Sequence, residues 1–585
     1  TQIVSNDKPL FSAINLKETP MAQTPHGIKF DAYRPVVMGR NGMVCAGHPL
    51  ASQTGIGILQ KGGNAVDAAI ATAAALNVVE PLMSGIGGDG FIMIYDKSSG
   101  EIKISNGTGA APYAATLERY QSTGIPTKGI LSVSVPGLVH SWLDAHDKYG
   151  LLPLKEVLSP AINLAENGFP VTHYLSRAIS SDTLLCEFPT SKAIFTKNDK
   201  PLKPGEILFQ RDLAKTLTMI AEGGREAFYQ GPIARSLVEF SNHLGGLLTD
   251  NDFRDCSARW QQPISTKYKG FDIYEAPPNS SGHVLLQELN ILEEFDLLST
   301  GCNTAESIHL MVEAKKLAFL DREAYVADPD YIDVPVEGLI SKEYAKERAK
   351  LINSNQASEL FEAGDPWVFQ NTRDKKGSYA RTGGLVTEQE DTTCFVVVDR
   401  WGNAVCQLQS LQSAWGSSLI AGDTGILLNN RMTYWHLDPN HVDCLQPGKR
   451  VRHTMNPVMV TQNGQLYLVF GTPGADTQVQ SNMQVLSHVL DFGMTVSEAI
   501  EAPRWKSNQS PTESNIPHTC ENELLLEGRY STEVCSHLER LGHTIKVVDS
   551  WDGIVGREMM IQIDPNNQVL HGAADPRYDG YAVGW

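Results

Sequence analysis

At 585 residues with a formal net charge of -19, the chain is long enough to bury a large core and too acidic to favour nucleic acid or an anionic membrane surface as a partner. Nine scattered cysteines without a CxxC pair supply neither a disulfide framework nor a zinc cluster, and they fit a reducing compartment. No apolar run reaches the length of a membrane span, and the N-terminal residues lack the basic, apolar, small-residue order of a secretory signal; the expected location is the cytoplasm, or the periplasm for a chain trimmed at its N-terminus.

In chain order, residues 1–40 read as an irregular arm and Met43 to Ala46 as a short strand. Pro49 to Gly57 leads into a helix closed by Lys61-Gly62-Gly63-Asn64. Ala65 to Val79 is the clearest helix, with alanines on nearly every side so that it can pack closely against a sheet. Glu80-Pro81 stops it. The glycine loop Ser84 to Gly90 then precedes a strand over Phe91 to Tyr95. Its bare N–H groups could cradle a phosphate, but a loop that follows a helix and precedes a strand reverses the order of a nucleotide site, so close backbone approach is the better reading.

Helical spacing covers Leu138 to Tyr149, Leu154 to Asn167 and Asp212 to Gly223. Phe271 to Tyr274 reads as a strand, Pro277 to His283 as a loop, and Val284 to Glu294 and Ile308 to Val326 as helices. Residues 354–390 form the longest polar stretch, a candidate processing loop or linker. Beyond it the pattern is strand-rich, with Tyr467 to Phe470 and Met559 to Ile563 the plainest strands and a helix over Gln480 to Phe492. Strands at both ends with helices between them indicate a layered α/β body.

Directly after the polar stretch, Glu390-Asp391-Thr392-Thr393-Cys394 opens the strand Phe395 to Val398, a turn at Asp399 to Asn403 and a second strand from Ala404. If the chain cuts itself between Asp391 and Thr392, Thr392 becomes a new N-terminus. A threonine hydroxyl needs a base, and an α-amine titrating near ~8 can serve as one, so the cut creates nucleophile and base together. Read locally, Thr392 and Thr393 are equally two β-branched strand residues.

The whole chain resembles the gamma-glutamyltranspeptidase family of N-terminal-nucleophile hydrolases. The resemblance rests on Gly47 to Ser52, Gly62 to Ala69, Glu80-Pro81, Gly87 to Gly90, Val135 to Gly137, Ser280 to Gly282, Asp321-Arg322 and Asp328-Pro329. It continues through Thr392-Thr393, Asp399, Gly402 to Val405, Gly425-Ile426, Gly471 to Gly474, Ala502 to Arg504 and Asp575 to Arg577. It implies an α/β fold of the four-layer αββα sandwich type. It also implies a precursor cut before Thr392 into a large subunit, 1–391, and a small subunit, 392–585, as one interleaved unit, and it allows a dimer of such heterodimers.

Carried onto this chain, the resemblance makes Thr392 the nucleophile and Asp391 the residue before the cut. Ser410 falls where the family has a threonine that bonds the nucleophile's amine, and Gln412 where it has a substrate-contacting asparagine. Gly474 and Ala475 fall on the glycine pair that supplies oxyanion-hole N–H groups. The substrate clamp departs: Thr108 replaces an arginine for the substrate α-carboxylate, Tyr434 an aspartate for its α-ammonium, and His453-Thr454 a serine pair, while Arg431 replaces a glutamine.

A glutamyl ammonium would lose its counter-charge there. Arg431, with Arg452 and His453 nearby in sequence, instead suits a small-molecule amide whose acyl group ends in a carboxylate, as for the family's cephalosporin acylases and oxamate amidohydrolases. An ion pair elsewhere is an equal reading of each arginine, and a structural hydrogen bond of His453. A gamma-glutamyl hydrolase or transpeptidase, a biosynthetic hydrolase of a secondary metabolite and an inactive, uncut binding protein stay open. No cofactor or metal is expected.

Overall fold

The small, close-packing helix expected at Ala65 to Val79 anchors the centre of the protein. In the computed structural model, which describes residues 32–359, 361–370 and 390–585, it spans those residues and all of them are buried. Asn64 caps it by accepting from the N–H groups of Val66 and Asp67, and Asp67 returns a bond to the Asn64 N–H. Most of the expected N-terminal arm and most of the polar stretch before Thr392 lie outside the described residues.

Two seven-stranded sheets organise the chain. In chain order their strands are β1 Val37–Gly39, β2 Gly42–Ala46, β3 Asp89–Asp96, β4 Glu101–Gly107, β5 Arg259–Gln261, β6 Ile264–Tyr268, β7 Phe271–Glu275, β8 Glu390–Asp399, β9 Ala404–Ser413, β10 Val458–Gln462, β11 Gln465–Gly471, β12 Met559–Ile563, β13 Leu570–Ala574 and β14 Tyr581–Gly584. One sheet runs β1-β13-β12-β11-β10-β7-β6 and the other β14-β2-β8-β9-β3-β4-β5. The pairings within both are antiparallel, and the proposed nucleophile's strand β8 lies inside the second sheet, between β2 and β9.

The period-2 alternation of the strands divides their side chains between two cores. Met43, Phe91, Cys394 and Leu408 of the second sheet share an apolar cluster with Met459, Val469 and Ile561 of the first. The alternate residues Val44, Ile92, Phe395 and Val405 pack with α1 (Pro49–Gln60), α2 (Ala65–Val79), α3 (Leu138–Tyr149) and α4 (Leu154–Asn167). On the first sheet, Ile273, Val460 and Leu468 pack with α5 (His283–Leu292), α6 (Ala305–Tyr325) and α7 (Thr477–Leu490). The fold is therefore mixed α/β.

Sequence and structure differ mainly at element ends. The loop expected at Pro277 to His283 ends one residue earlier, because His283 already opens α5. The helix expected over Asp212 to Gly223 extends from Arg211 to Tyr229, with Gly224 breaking its helical backbone at φ 54°. The glycine loop also ends early: Asp89 and Gly90 belong to β3, pairing with Ser410 and Gln409 of β9. No helix among the described residues is long and apolar enough to cross a membrane.

Candidate active site

The register of β8 against β9 breaks at the proposed cleavage point. Asp391 pairs with Gln412 and Thr393 with Gln409, so Thr392 alone faces two residues, Ser410 and Leu411. This is a β-bulge, which bends the strand and re-aims its side chains. Gln412, just beyond it, has φ 92°, a left-handed conformation disfavoured for a side chain of its kind. Thr392 is 3% exposed. By alternation from Cys394, Leu408 and Phe91, the side chains of Thr392, Ser410 and Asp89 belong to the face between the sheets, in one row across three neighbouring strands.

Across the bulge, the Ser410 hydroxyl donates to the Asp391 carbonyl at 2.9 Å and accepts from the Gln412 N–H at 2.8 Å. The Asp391 carbonyl is the one that a cut before Thr392 would open. Asp391's own carboxylate meets Arg557 Nη2 at 2.5 Å, and the Arg557 guanidinium lies over the Tyr578 ring at 3.9 Å. Burial pushes the Asp391 carboxyl upward and Arg557 opposes it. A cleft of about 730 Å³ reaches Asp391 from outside, lined also by Lys128, Tyr174, Trp415 and Tyr578.

On the opposite face of β8, Thr393 Oγ1 donates to Glu80 Oε2 at 2.8 Å. Burial pushes the Glu80 carboxyl up to about 7 against the pull of Thr393 and Arg557. Gly47 makes room for it, since a Cβ there would stand 2.6 Å from Oε2. These two residues and Arg557 carry no role in the sequence reading. Glu80-Pro81 marks a helix end and a family motif there, with no part in the chemistry.

The turn from β11 into α7 holds the proposed oxyanion donors. Gly474 has φ 120° and Ala475 φ 47°, and no hydrogen bond from either N–H is present among the described residues. Pro473 and Thr392 line the same narrow space. Asp476 anchors the turn from behind, bonding Arg322 of α6, the Ser514 hydroxyl and the Ser514 N–H.

The residues expected to bind substrate separate into groups. Arg431 Nε is 3.2 Å from Asp89 Oδ2, its guanidinium lies 4.7 Å from the Tyr434 ring centre, and His453 Nε2 is 3.4 Å from the same Asp89 oxygen. Tyr434 and Thr454 share a hydroxyl bond of 3.1 Å. Burial, with Arg431 adding to it, lowers the His453 imidazole to about 4. Arg431, Tyr434, His453 and Thr454 therefore form one cluster, joined by Asp89, a residue the sequence shows only as part of a glycine motif.

Thr108 hydrogen-bonds Asn106 Oδ1 at 2.7 Å and accepts from Asn279 at 3.3 Å; it borders a separate cavity of about 120 Å³ with Arg450. Arg452 turns instead to Glu323 Oε2, at 2.8 Å.

Among the described residues, two groups of imidazole and carboxylate have donors close enough for a cation: Glu323 with His436 and His441, and His309 with Glu313 and His543. In the first, the two rings stack 3.5 Å apart at 10°. A cation in the plane of one such ring lies outside the plane of the other. In the second, His309 bonds His543 at 2.8 Å, and Glu313 already meets Lys316 and the Ser358 N–H. Both read as hydrogen-bonded structural clusters.

Known proteins similar to this chain cover nearly its whole length. The family model described as Gamma-glutamyltranspeptidase matches residues 51–585. The "Glutathione hydrolase-like YwrD proenzyme" of Bacillus subtilis (strain 168) is 39% identical over 551 residues, covering 94% of this chain and 99% of its own length. The "Acylase ACY 1 proenzyme" of Pseudomonas sp. (strain SE83) is 36% identical over 574 residues, covering 96% of each. The crystal structure of cephalosporin acylase from Bacillus halodurans superposes with a TM-score of 0.83 at 35% identity, covering 97% of this chain and 99% of that one.

Proposed function

The chain belongs to the gamma-glutamyltranspeptidase family, enzymes of hydrolase and transpeptidase type, and from that premise we propose a self-processing amidohydrolase with Thr392 as its nucleophile. The observation that carries the proposal is the Ser410 hydroxyl on the Asp391 carbonyl, across the bulge that faces Thr392. A donor on that oxygen stabilises the negative charge that forms when the Thr392 hydroxyl attacks the carbonyl carbon. The C–N bond then breaks, the nitrogen takes the proton that the hydroxyl gave up and becomes the new α-amine, and water hydrolyses the ester. The products are a large subunit ending at Asp391 and a small one beginning at Thr392. The two facing sheets and their outer helices support the αββα description.

In the processed enzyme, the α-amine takes the Thr392 hydroxyl proton as the oxygen attacks a substrate amide. The free N–H groups of Gly474 and Ala475 stabilise the oxyanion, and the proton leaves with the amine. Water then releases the acid from the Thr392 ester. For the acyl group, Arg431 favours a carboxylate, and Tyr434 offers no charge to an ammonium. Asp89 favours a second reading, a gamma-glutamyl donor whose ammonium it meets in place of the missing aspartate.

On a denaturing gel, two fragments of about two-thirds and one-third of 64.0 kDa support processing, and Thr392→Ala leaves one band. Anilide release from glutaryl and gamma-glutamyl substrates then separates the two acyl readings. A wild-type chain that stays uncut and hydrolyses neither substrate overturns the proposal.

A further inference from the structure

The cluster around Asp89 contains a buried charge pair and several polar atoms without partners. Asp89 is fully buried, and its Oδ1 accepts the Gly109 N–H at 2.7 Å while Oδ2 faces Arg431 and His453. Arg431 Nη2 and both ring nitrogens of His453 have no hydrogen-bond partner among the described residues, Nε2 making only its 3.4 Å approach to Asp89, although each of these residues is only 1% exposed. Such atoms are costly to leave bare and mark where a ligand's polar end can bind.

The charges impose a condition on that ligand. Asp89 already neutralises Arg431, so an entering carboxylate places a second negative charge beside one buried cation. The charged or titratable groups facing His453 are Asp89 from β3 and Arg431 and Tyr434 from the turn Arg431–Tyr434; Phe91 contributes an apolar ring edge at 5.8 Å. Of these, His453 alone can add a positive charge near neutrality. Its imidazole is neutral as it stands in the cluster, where burial and Arg431 disfavour the cation, and a carboxylate bound beside it would oppose both effects.

We propose that a carboxylate-bearing acyl group binds together with one proton, which His453 takes from solvent, and that Asp89 is the positioning residue that makes this proton necessary. The inference rests on the amidohydrolase reading above. Neutral imidazole and a proton give imidazolium, which donates to Asp89 through Nε2 and carries a second N–H for the ligand; the proton returns to solvent when the acid product leaves. A gamma-glutamyl group brings its own ammonium and an uncharged acyl group brings no anion, so neither requires the proton.

Glutaryl, butyryl and gamma-glutamyl anilides test this across about pH 6 to 8. The glutaryl-to-butyryl ratio of kcat/KM falls about tenfold per pH unit in the wild type, because the α-amine's titration is common to both substrates and cancels. Asp89→Asn and His453→Gln each flatten the ratio, with self-cleavage into two fragments as the folding control. A pH-independent ratio in the wild type overturns the proposal. Calorimetry of glutarate binding to the processed wild type, in buffers of different ionisation enthalpy, gives uptake of about one proton per site. No uptake, or no binding, overturns the proposal even if no anilide is hydrolysed, an outcome that by itself counts against the amidohydrolase reading.

Discussion

Thr393 Oγ1 and Glu80 Oε2 are 2.8 Å apart, one residue beyond the proposed nucleophile and on the opposite face of its strand. The bond ties the end of α2 to β8 and so fixes the strand that carries Thr392. It does so with a carboxyl that burial has raised to about 7.

That shift has a defined sign. A carboxyl raised from 4.5 to about 7 on folding stabilises the fold fully below the lower value. The contribution is lost as pH rises to the upper one, a change on the order of 3 kcal/mol. Glu80→Gln removes the titration and keeps a hydrogen-bond acceptor for Thr393. Between pH 5 and 8 its melting temperature falls less than that of the wild type, measured on Thr392→Ala backgrounds so that both proteins stay single chains.

Ser410→Ala leaves the Asp391 carbonyl without its side-chain donor and slows self-cleavage by about 10²- to 10³-fold, in line with loss of one oxyanion donor. A gel time course from freshly made protein reads the rate. Ser410→Thr restores the hydroxyl and most of the rate, which separates donation from packing. Equal rates in Ser410→Ala and wild type count against the assigned role.

Much of this architecture was legible in the sequence because it is local. The alanine helix declares itself through its composition and its Asn64 cap, and the strands on either side of Asp399 to Asn403 through alternation and a turn. The family motifs also indicated Thr392, Ser410, Gly474 and Ala475. The Asp89–Arg431 contact was not legible, since it joins residues 342 apart in sequence, and neither was the bulge at Ser410, which exists only once β8 and β9 set their register. Arg452 shows the converse. It neighbours His453 in sequence, yet an extended backbone sends adjacent side chains opposite ways, and its guanidinium reaches Glu323.

The turn that carries the proposed oxyanion donors, Gly474 and Ala475, leads into Asp476, which is paired with Arg322. Arg322 and Asp476 are both buried and bonded to each other, directly behind Gly474 and Ala475. Arg322→Ala leaves the aspartate uncompensated and costs about 3–5 kcal/mol of stability. Where the protein still folds and cleaves, kcat falls more than KM rises, because the donors act on the transition state. A KM effect alone would place Arg322 in ground-state binding.

The Asp89–Arg431 pair is accessible to a double-mutant cycle in the Thr392→Ala chain, where unfolding involves one polypeptide. Arg431→Met strands the Asp89 carboxylate, held only by the Gly109 N–H and His453, and costs about 3–5 kcal/mol. Asp89→Asn strands the Arg431 cation but keeps an acceptor for Gly109, so its cost is smaller. The double variant removes both charges and is less destabilised than the sum of the two, with a coupling of about 0.5–3 kcal/mol measured by denaturant unfolding. A coupling indistinguishable from zero means that the two charges do not interact in the folded protein, and Arg431 is then a free cation for an acyl carboxylate. A clear coupling means that any anion reaching Arg431 must compete with Asp89, which is the physical origin of the proton demand at His453.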